Sequence, residues 1–308
     1  MSRVLVLGNA TVDVIQRVER LPLPGETVLA LGMERCAGGK GLNQALAAAR
    51  TGARTTLAAP VGTDRDAAFL AQSIAHEPDL STKWVTCSAT TDLSVIWVAR
   101  DGENVIVSSA DCARSVTPAQ ASTLCSSLVP GDVLLMQGNL SAAATIAAAQ
   151  VAAERGATRI LNTAPIAWEM QPALGLFGIV VANSGEARVL SKGAGDVGSA
   201  MRGFGVPVTI VTLGSKGALI TADGFETKID APQVTAVDTT GAGDVFVGTL
   251  AGLLANGCVL QEAASVAVAA ASLSVTRSKT TPSFPTRDEL ATLFGQARQM
   301  KQGHAPDA

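Results

Sequence analysis

The chain has 308 residues, 47% of them apolar and 16% charged, with a net charge of −3, enough for one large α/β domain with a buried core. A mildly acidic chain with seven Phe, three Trp and no Tyr has neither the basic footprint nor the stacking platform of a nucleic-acid binder. No window approaches the roughly 18 apolar residues of a membrane span, and the start, MSRVLVLGNATVDVI, carries no secretory apolar core. The expectation is a cytoplasmic protein with a small-molecule partner, no nucleic acid and no membrane.

In chain order, β-rich apolar runs fall at Val4 to Leu7, Thr55 to Ala59, Val133 to Met136, Arg159 to Leu161, Ile179 to Ala182 and Val208 to Thr212, separated mostly by segments of helical spacing. Helices are predicted over Lys40 to Arg50, Ser141 to Arg155 and Ala242 to Asn256, each followed by a glycine stop. This alternation gives a mostly parallel sheet covered by helices. Two stretches break it, Thr11 to Cys36 and Leu93 to Asp111, where alternation and the turn formers Pro24-Gly25 and Asp101-Gly102 predict hairpins outside the main sheet. Residues 1–300 thus read as one domain with lid segments at about 11–36 and 93–111, and 301–308 as a flexible tail. Cys36, Cys87, Cys112, Cys125 and Cys258 contain no CxxC, so reduced thiols are expected rather than disulfides or zinc.

The chemistry is narrowed by subtraction. The only histidines are His76 and His304, and neither GxxxxGK[ST] nor a GxGxxG after the first strand occurs, so a general base is a carboxylate and the nucleotide signatures of P-loop and Rossmann sites are absent. What remains is QVTAVDTTGAGDVFVGTLAGLLANG, a strand, a glycine-rich turn and a helix. The N–H groups of Gly241, Ala242, Gly243 and Asp244 at that helix start form an anion hole. Asp244 would repel a bound phosphate, which is understandable if it takes the proton of an attacking hydroxyl; the alternative is a helix cap. Asp238 either orients substrate or supports the turn. A second glycine turn, CAGGKGLNQALAAARTG, places Gly38, Gly39, Lys40 and Asn43 where a polar ligand such as a sugar can meet them.

With both turns in hand, the chain resembles the ribokinase (PfkB) family of carbohydrate kinases, end to end. The signatures GGKGLNQ and DTTGAGDVFVG stand in family order, with NTAPI at Asn162, NSGEA at Asn183 and TLGSKG at Thr212 between them. The resemblance implies a three-layer α/β/α sandwich with a small β-sheet lid, and transfer of the γ-phosphoryl group of ATP to a sugar hydroxyl with magnesium. It makes Asp244 the base and Gly241, Ala242 and Gly243 part of the anion hole. It matches Thr11, Asp13, Gly38, Gly39, Lys40, Asn43 and Asn139 to the sugar pocket, and Asn183, Thr212, Gly214 and Gly217, with Gly241 and Gly243, to the ATP site. Asn183 and Glu186 match the element that organises Mg2+, partly through water, and Asp238 and Thr240 a loop that holds a monovalent cation.

Three departures stand out. Thr11 and Asn139 replace an asparagine and a glutamate of the family pattern, which removes a charge from the pocket and leaves open, beside ribose, a related sugar as acceptor. Lys279 stands where a glycine-containing loop is usual, which puts K+ activation in doubt. A nucleoside kinase of the same fold and a non-catalytic nucleotide or sugar sensor are the competing readings. Exposed lid edges imply a homodimer through the β lid.

Overall fold

The computed structural model describes residues 2–192 and 203–302, the side chains of 298–302 excepted. Thirteen strands are present among them: β1 Arg3–Leu7, β2 Thr11–Val18, β3 Gly32–Gly38, β4 Arg54–Val61, β5 Leu80–Thr86, β6 Leu93–Ala99, β7 Asn104–Ser108, β8 Val133–Gln137, β9 Thr158–Asn162, β10 Ile179–Asn183, β11 Val208–Thr212, β12 Ala218–Ala222 and β13 Phe225–Ile229. The helices are α1 Lys40–Arg50, α2 Arg65–Ser73, α3 Asp111–Ser115, α4 Pro118–Cys125, α5 Ala142–Glu154, α6 Gln171–Leu174, α7 Ser184–Leu190, α8 Ala242–Ala255, α9 Leu260–Ser274 and α10 Arg287–Gln302. The last helix runs two residues into the expected tail, and 303–308 lie outside the described residues.

Nine strands form one sheet in the order β13-β12-β11-β10-β9-β8-β1-β4-β5. It is parallel from β11 to β5, and β12 and β13 add an antiparallel edge. Period-2 alternation divides each central strand between two cores. Val4 and Val6 pack with Leu42, Leu57, Phe246 and Val266 on the α1, α2, α8 and α9 side. Leu5 and Leu7 pack with Leu134, Met136, Ala148 and Leu174 on the α4 to α7 side. Both faces are covered, which is why these strands read as unbroken apolar runs.

β2 and β3 pair antiparallel, β6 and β7 likewise, and β2 joins β6 in parallel to give a separate sheet of order β3-β2-β6-β7. Asp101-Gly102 makes the tight β6–β7 turn, Gly102 having φ 90°. Pro24-Gly25 instead sits inside a loop of residues 19–31, so β2 and β3 are not joined by the short hairpin that the sequence suggests. The small sheet grows directly from the carboxyl end of β1, three residues separating β1 from β2.

Strand order reverses about β1: the chain runs outward through β4 and β5, then returns to β8 on the other flank. The crevice at the carboxyl ends of β1 and β8 is the topological switch point where open α/β sheets bind ligands. Across it, α1 and α8 pack unusually closely. A methyl group on Gly248 would stand 2.3 Å from the Gln44 carbonyl oxygen and 2.7 Å from the Ala47 Cβ, and one on Gly252 would stand 2.7 Å from the Ala48 carbonyl oxygen. Among the described residues no helix is long and apolar enough to cross a membrane.

Candidate active site

α8 starts at the glycine turn. Gly241 is its N-cap at φ 80°, a left-handed conformation that glycine adopts without strain, and no side chain caps the helix. A Cβ on Gly241 would also strike Phe284 at 2.8 Å and Thr280 at 2.9 Å, whereas one on Gly243 would meet open space. The Ala242 N–H turns onto the Thr239 carbonyl at 3.3 Å, which corrects the expectation of four free amides. The N–H groups of Gly241, Gly243 and Asp244 keep no partner among the described residues and stand at the positive end of the helix.

Asp244 is 6% exposed, and its carboxylate is not a cap. Oδ2 accepts from Asn43 Nδ2 at 3.0 Å and Oδ1 from Gln44 Nε2 at 2.9 Å. Residues 200 positions apart in the chain are thus joined by the α1–α8 contact. Asp238 supports the turn: its Oδ1 accepts from the Thr240 N–H at 2.9 Å and its Oδ2 from the Lys279 N–H at 3.1 Å. Lys279 sends its ammonium to Glu34 of β3 at 2.7 Å.

On the small-sheet side, Thr11 and Asp13 are buried and Thr11 Oγ1 donates to Asp13 Oδ1 at 2.8 Å. Burial pushes the Asp13 carboxyl above its ordinary range; hydrogen bonds from Thr11 and Ser94 oppose this, and the negative charge of Asp244 adds to it. Gly38 is required here, because a Cβ would lie 2.1 Å from Asp13 Oδ2. Gly39, at φ 92°, precedes α1, and Lys40 is half-buried at its first position. Asn43 Oδ1 and Asn139 Oδ1 are buried with no hydrogen-bond partner among the described residues, so both amide oxygens can accept from a hydroxyl. Asn139 follows β8, at the switch point.

On the other side of the turn, a cavity of about 390 Å3 is lined by Asn183, Thr212, Gly214, Gly217 and Gly243, with Phe246, Val268, Ala271 and Val275 as an apolar wall. Gly214 and Gly217 take φ 60° and 87°, and a Cβ on Gly217 would lie 1.9 Å from the Ile229 carbonyl oxygen. Asn183 and Glu186 form a capping box on α7: Glu186 N–H donates to Asn183 Oδ1 at 2.9 Å and Asn183 N–H to Glu186 Oε2 at 3.0 Å. Oε2 also accepts from Thr163 and Oε1 from Asn183 Nδ2. With one acceptor position left on Oε1, the pair suits a water-mediated rather than a direct metal contact. Among the described residues no group of three or more His, Cys, Asp or Glu side chains is placed to hold a metal.

The structure therefore brings the two glycine turns to one place, with a polar pocket on one side and an apolar-walled cavity on the other. Sequence reasoning missed Gln44, Gln137 and Asn162 as partners of the Asp244 network, and Val268, Ala271 and Val275 as cavity wall. Gln44 could have been suspected, since it neighbours Asn43 at the same helix start.

The family model described as pfkB family carbohydrate kinase matches residues 1–287. A ribokinase from Haemophilus influenzae is 32% identical over 292 residues, covering 92% of this chain and 95% of its own. A bifunctional ribokinase/ribose-5-phosphate isomerase A from Fructilactobacillus sanfranciscensis is 30% identical over 98% of this chain, which spans only 58% of that longer protein. The structure of Arabidopsis thaliana ribokinase complexed with ribose and ATP superposes with a TM-score of 0.83 at 26% identity, over 96% of this chain and 99% of that one. The chain belongs to the pfkB family of carbohydrate kinases.

Proposed function

We propose that this kinase transfers the γ-phosphoryl group of ATP to a hydroxymethyl oxygen of ribose or a closely related pentose. The observation that carries the reading is Asp244: a buried carboxylate with both oxygens held by amides, one residue beyond the open Gly243, between the two pockets. The ribose and ATP bound to the Arabidopsis relative support it.

In this reading the sugar lies against Asp13, which accepts from its hydroxyls, with Asn43 Oδ1 and Asn139 Oδ1 as further acceptors and Lys40 at the pocket edge. The adenine lies on Val268, Ala271 and Val275, and the phosphates run past Asn183, Thr212, Gly214 and Gly217 to the turn. Asp244 accepts the proton of the attacking hydroxyl, and the free amides of the 241–244 turn stabilise the charge on the phosphoryl group in flight. Mg2+ carried by the nucleotide would neutralise phosphate charge and meet Asn183 and Glu186 through water. The small sheet acts as a lid that excludes water from the sugar pocket. Its exposed Val105, Ile106 and Val107 on edge strand β7 suit a homodimer. The site of action is the cytoplasm, where ATP is abundant.

The test is ADP release with ATP and a panel of pentoses, hexoses, polyols and nucleosides, run on the wild type and Asp244→Asn. A pentose is expected to give the highest kcat/KM, and Asp244→Asn to lose about 10²- to 10⁴-fold in kcat while binding ATP normally. Retained turnover in Asp244→Asn removes the base role, and a nucleoside as best acceptor replaces the sugar.

A further inference from the structure

The two amides on Asp244 differ. Asn43 is 5% exposed, and its remaining oxygen is free for a ligand. Gln44 is fully buried and fully engaged: Nε2 donates to Asp244 Oδ1 at 2.9 Å and to Asn162 Oδ1 at 3.0 Å, and Oε1 accepts from Gln137 Nε2 at 2.8 Å. No group of Gln44 is left to meet a substrate.

The polarity of this chain is dictated by its end. An ionised carboxylate only accepts, so Gln44 must present its NH2 to Asp244, its carbonyl oxygen must then face Gln137, and Gln137 must present NH2 in turn. A Gln44 amide flipped by 180° would set its oxygen against the Asp244 carboxylate and the Asn162 oxygen, lone pair against lone pair. The donor of Gln137, at the last residue of β8, opposes that flip. Gln137 keeps its own Oε1 buried and unpartnered among the described residues, a cost that a purely structural side chain would not need to carry.

We propose that Gln44 is a positioning residue for the phosphoryl transfer, holding the Asp244 carboxylate in the rotamer that faces the acceptor hydroxyl, and that Gln137 fixes the Gln44 amide in the orientation this needs. The inference rests on Asp244 being the base. It assigns the three parts of the sheet crevice distinct tasks: α8 supplies the base, α1 aims it, and the end of β8 sets the polarity of the aiming group.

The experiment compares Gln44→Met, Gln44→Glu, Gln137→Met and Asp244→Asn in the full-length protein, reading kcat, KM for sugar and for ATP, the pH profile of kcat, and the thermal midpoint. Gln44→Met is expected to lower kcat by about 10- to 100-fold with both KM values within about threefold, because the lost contact orients the base rather than binding substrate. Gln44→Glu keeps the shape and the bond from Gln137 but puts a second carboxylate beside Asp244. Two carboxylates sharing a site resist ionising together, so the acidic limb of the kcat profile moves to higher pH. Gln137→Met, whose side chain hydrogen-bonds Gln44 and not Asp244, lowers kcat by a smaller factor and keeps the protein testable if Gln44→Met does not fold.

A merely structural glutamine would change the thermal midpoint and leave kcat of the folded Gln44→Met and Gln137→Met variants near wild type, whereas the Gln44→Glu shift follows from the nearness of the two carboxylates alone. Folded Gln44→Met and Gln137→Met with kcat within about twofold of wild type overturn the inference while Asp244→Asn stays inactive. An active Asp244→Asn overturns the base reading beneath it.

Discussion

Lys279 joins the small sheet to the glycine turn before α8: its ammonium meets Glu34 on β3 at 2.7 Å while its backbone N–H meets Asp238 at 3.1 Å. It does so from φ 76°, a left-handed conformation that costs a non-glycine residue about 1–2 kcal/mol. The hydrogen bond from Lys279 is the largest of the effects holding the Glu34 carboxyl below its usual range. A carboxyl so lowered keeps its partner at neutral pH and loses it as pH falls through the folded-state value. Lys279→Met is therefore expected to loosen the small sheet and raise KM for the sugar. Because the pair is partly exposed, the effect is about two- to fivefold. Sugar titrations in the variant and in Glu34→Gln check it, and an unchanged KM in both would count against the link.

Potassium is expected to matter little. Both Asp238 oxygens already hold backbone N–H groups, from Thr240 and Lys279, and the Lys279 side chain turns to Glu34 rather than into the loop. Exchanging KCl for NaCl at fixed ionic strength should change kcat by less than about twofold, since both Asp238 oxygens are already held by backbone amides and Lys279 is paired with Glu34. A strong preference for K+ would show that the loop rearranges to take it.

Asp13 gives the proposed sugar pocket a pH dependence whose sign follows from its burial. Burial raises its folded-state value, so as pH falls it protonates before an ordinary aspartate and loses acceptor capacity. KM for the sugar should rise on the acid side of neutrality. Removing the Thr11 hydrogen bond with Thr11→Val takes away a lowering contribution, so that rise should begin at higher pH. Since the raised value means that ionised Asp13 costs folding stability, Asp13→Asn should raise the thermal midpoint while weakening sugar binding. A lower midpoint would refute the sign.

Two glycines of the same helix should separate activity from stability. A Cβ on Gly243 meets open space where the phosphate is proposed to approach, so Gly243→Val should fold but lose turnover. A Cβ on Gly248 collides with α1, and Gly248→Ala should lose about 1–3 kcal/mol of stability. Denaturant midpoints and kcat for both variants check the split.

The Cys87 and Cys112 sulfurs lie 2.7 Å apart at the base of the β6–β7 hairpin. Hydrogen peroxide should oxidise this pair to a disulfide, two thiol protons and two electrons reducing the peroxide to two waters, but slowly, because burial and the Cys87 contact hold the Cys112 thiol well above its ordinary range. Burial pushes the Cys125 thiol up to about 12, and it, with nearby negative charge, pushes Cys36 to about 11, so both should resist alkylation at pH 8. Peptide mapping after oxidation and labelling reads both outcomes.

Much of this site was legible because its two halves begin helices with glycine-rich turns, which announce themselves locally. The predicted α1 is residue for residue the observed one, and α8 ends one residue early. β5 was silent because it is an edge strand with only Leu80, Trp84 and Val85 as large apolar residues. β12 and β13 escaped because a strand-helix template does not anticipate an antiparallel edge, although Asp223-Gly224, at φ 52° and 80°, is a hairpin turn pair. The capping alternative for Asp244 was undecidable from local sequence, since what rules it out is a pair of amides 200 residues away.

Gly248 and Gly252 let α1 and α8 touch backbone to backbone, and this sets the two signatures side by side at one end of a stiff helix pair. Neither helix can be adjusted alone: a shift of α1 that reshaped the proposed sugar pocket would carry Asp244 and the 241–244 amides with it. The parts free to reshape the proposed pocket are those beside this helix pair, the small sheet with Thr11 and the β8 end with Asn139. Those are the places where this chain departs from the expected pattern.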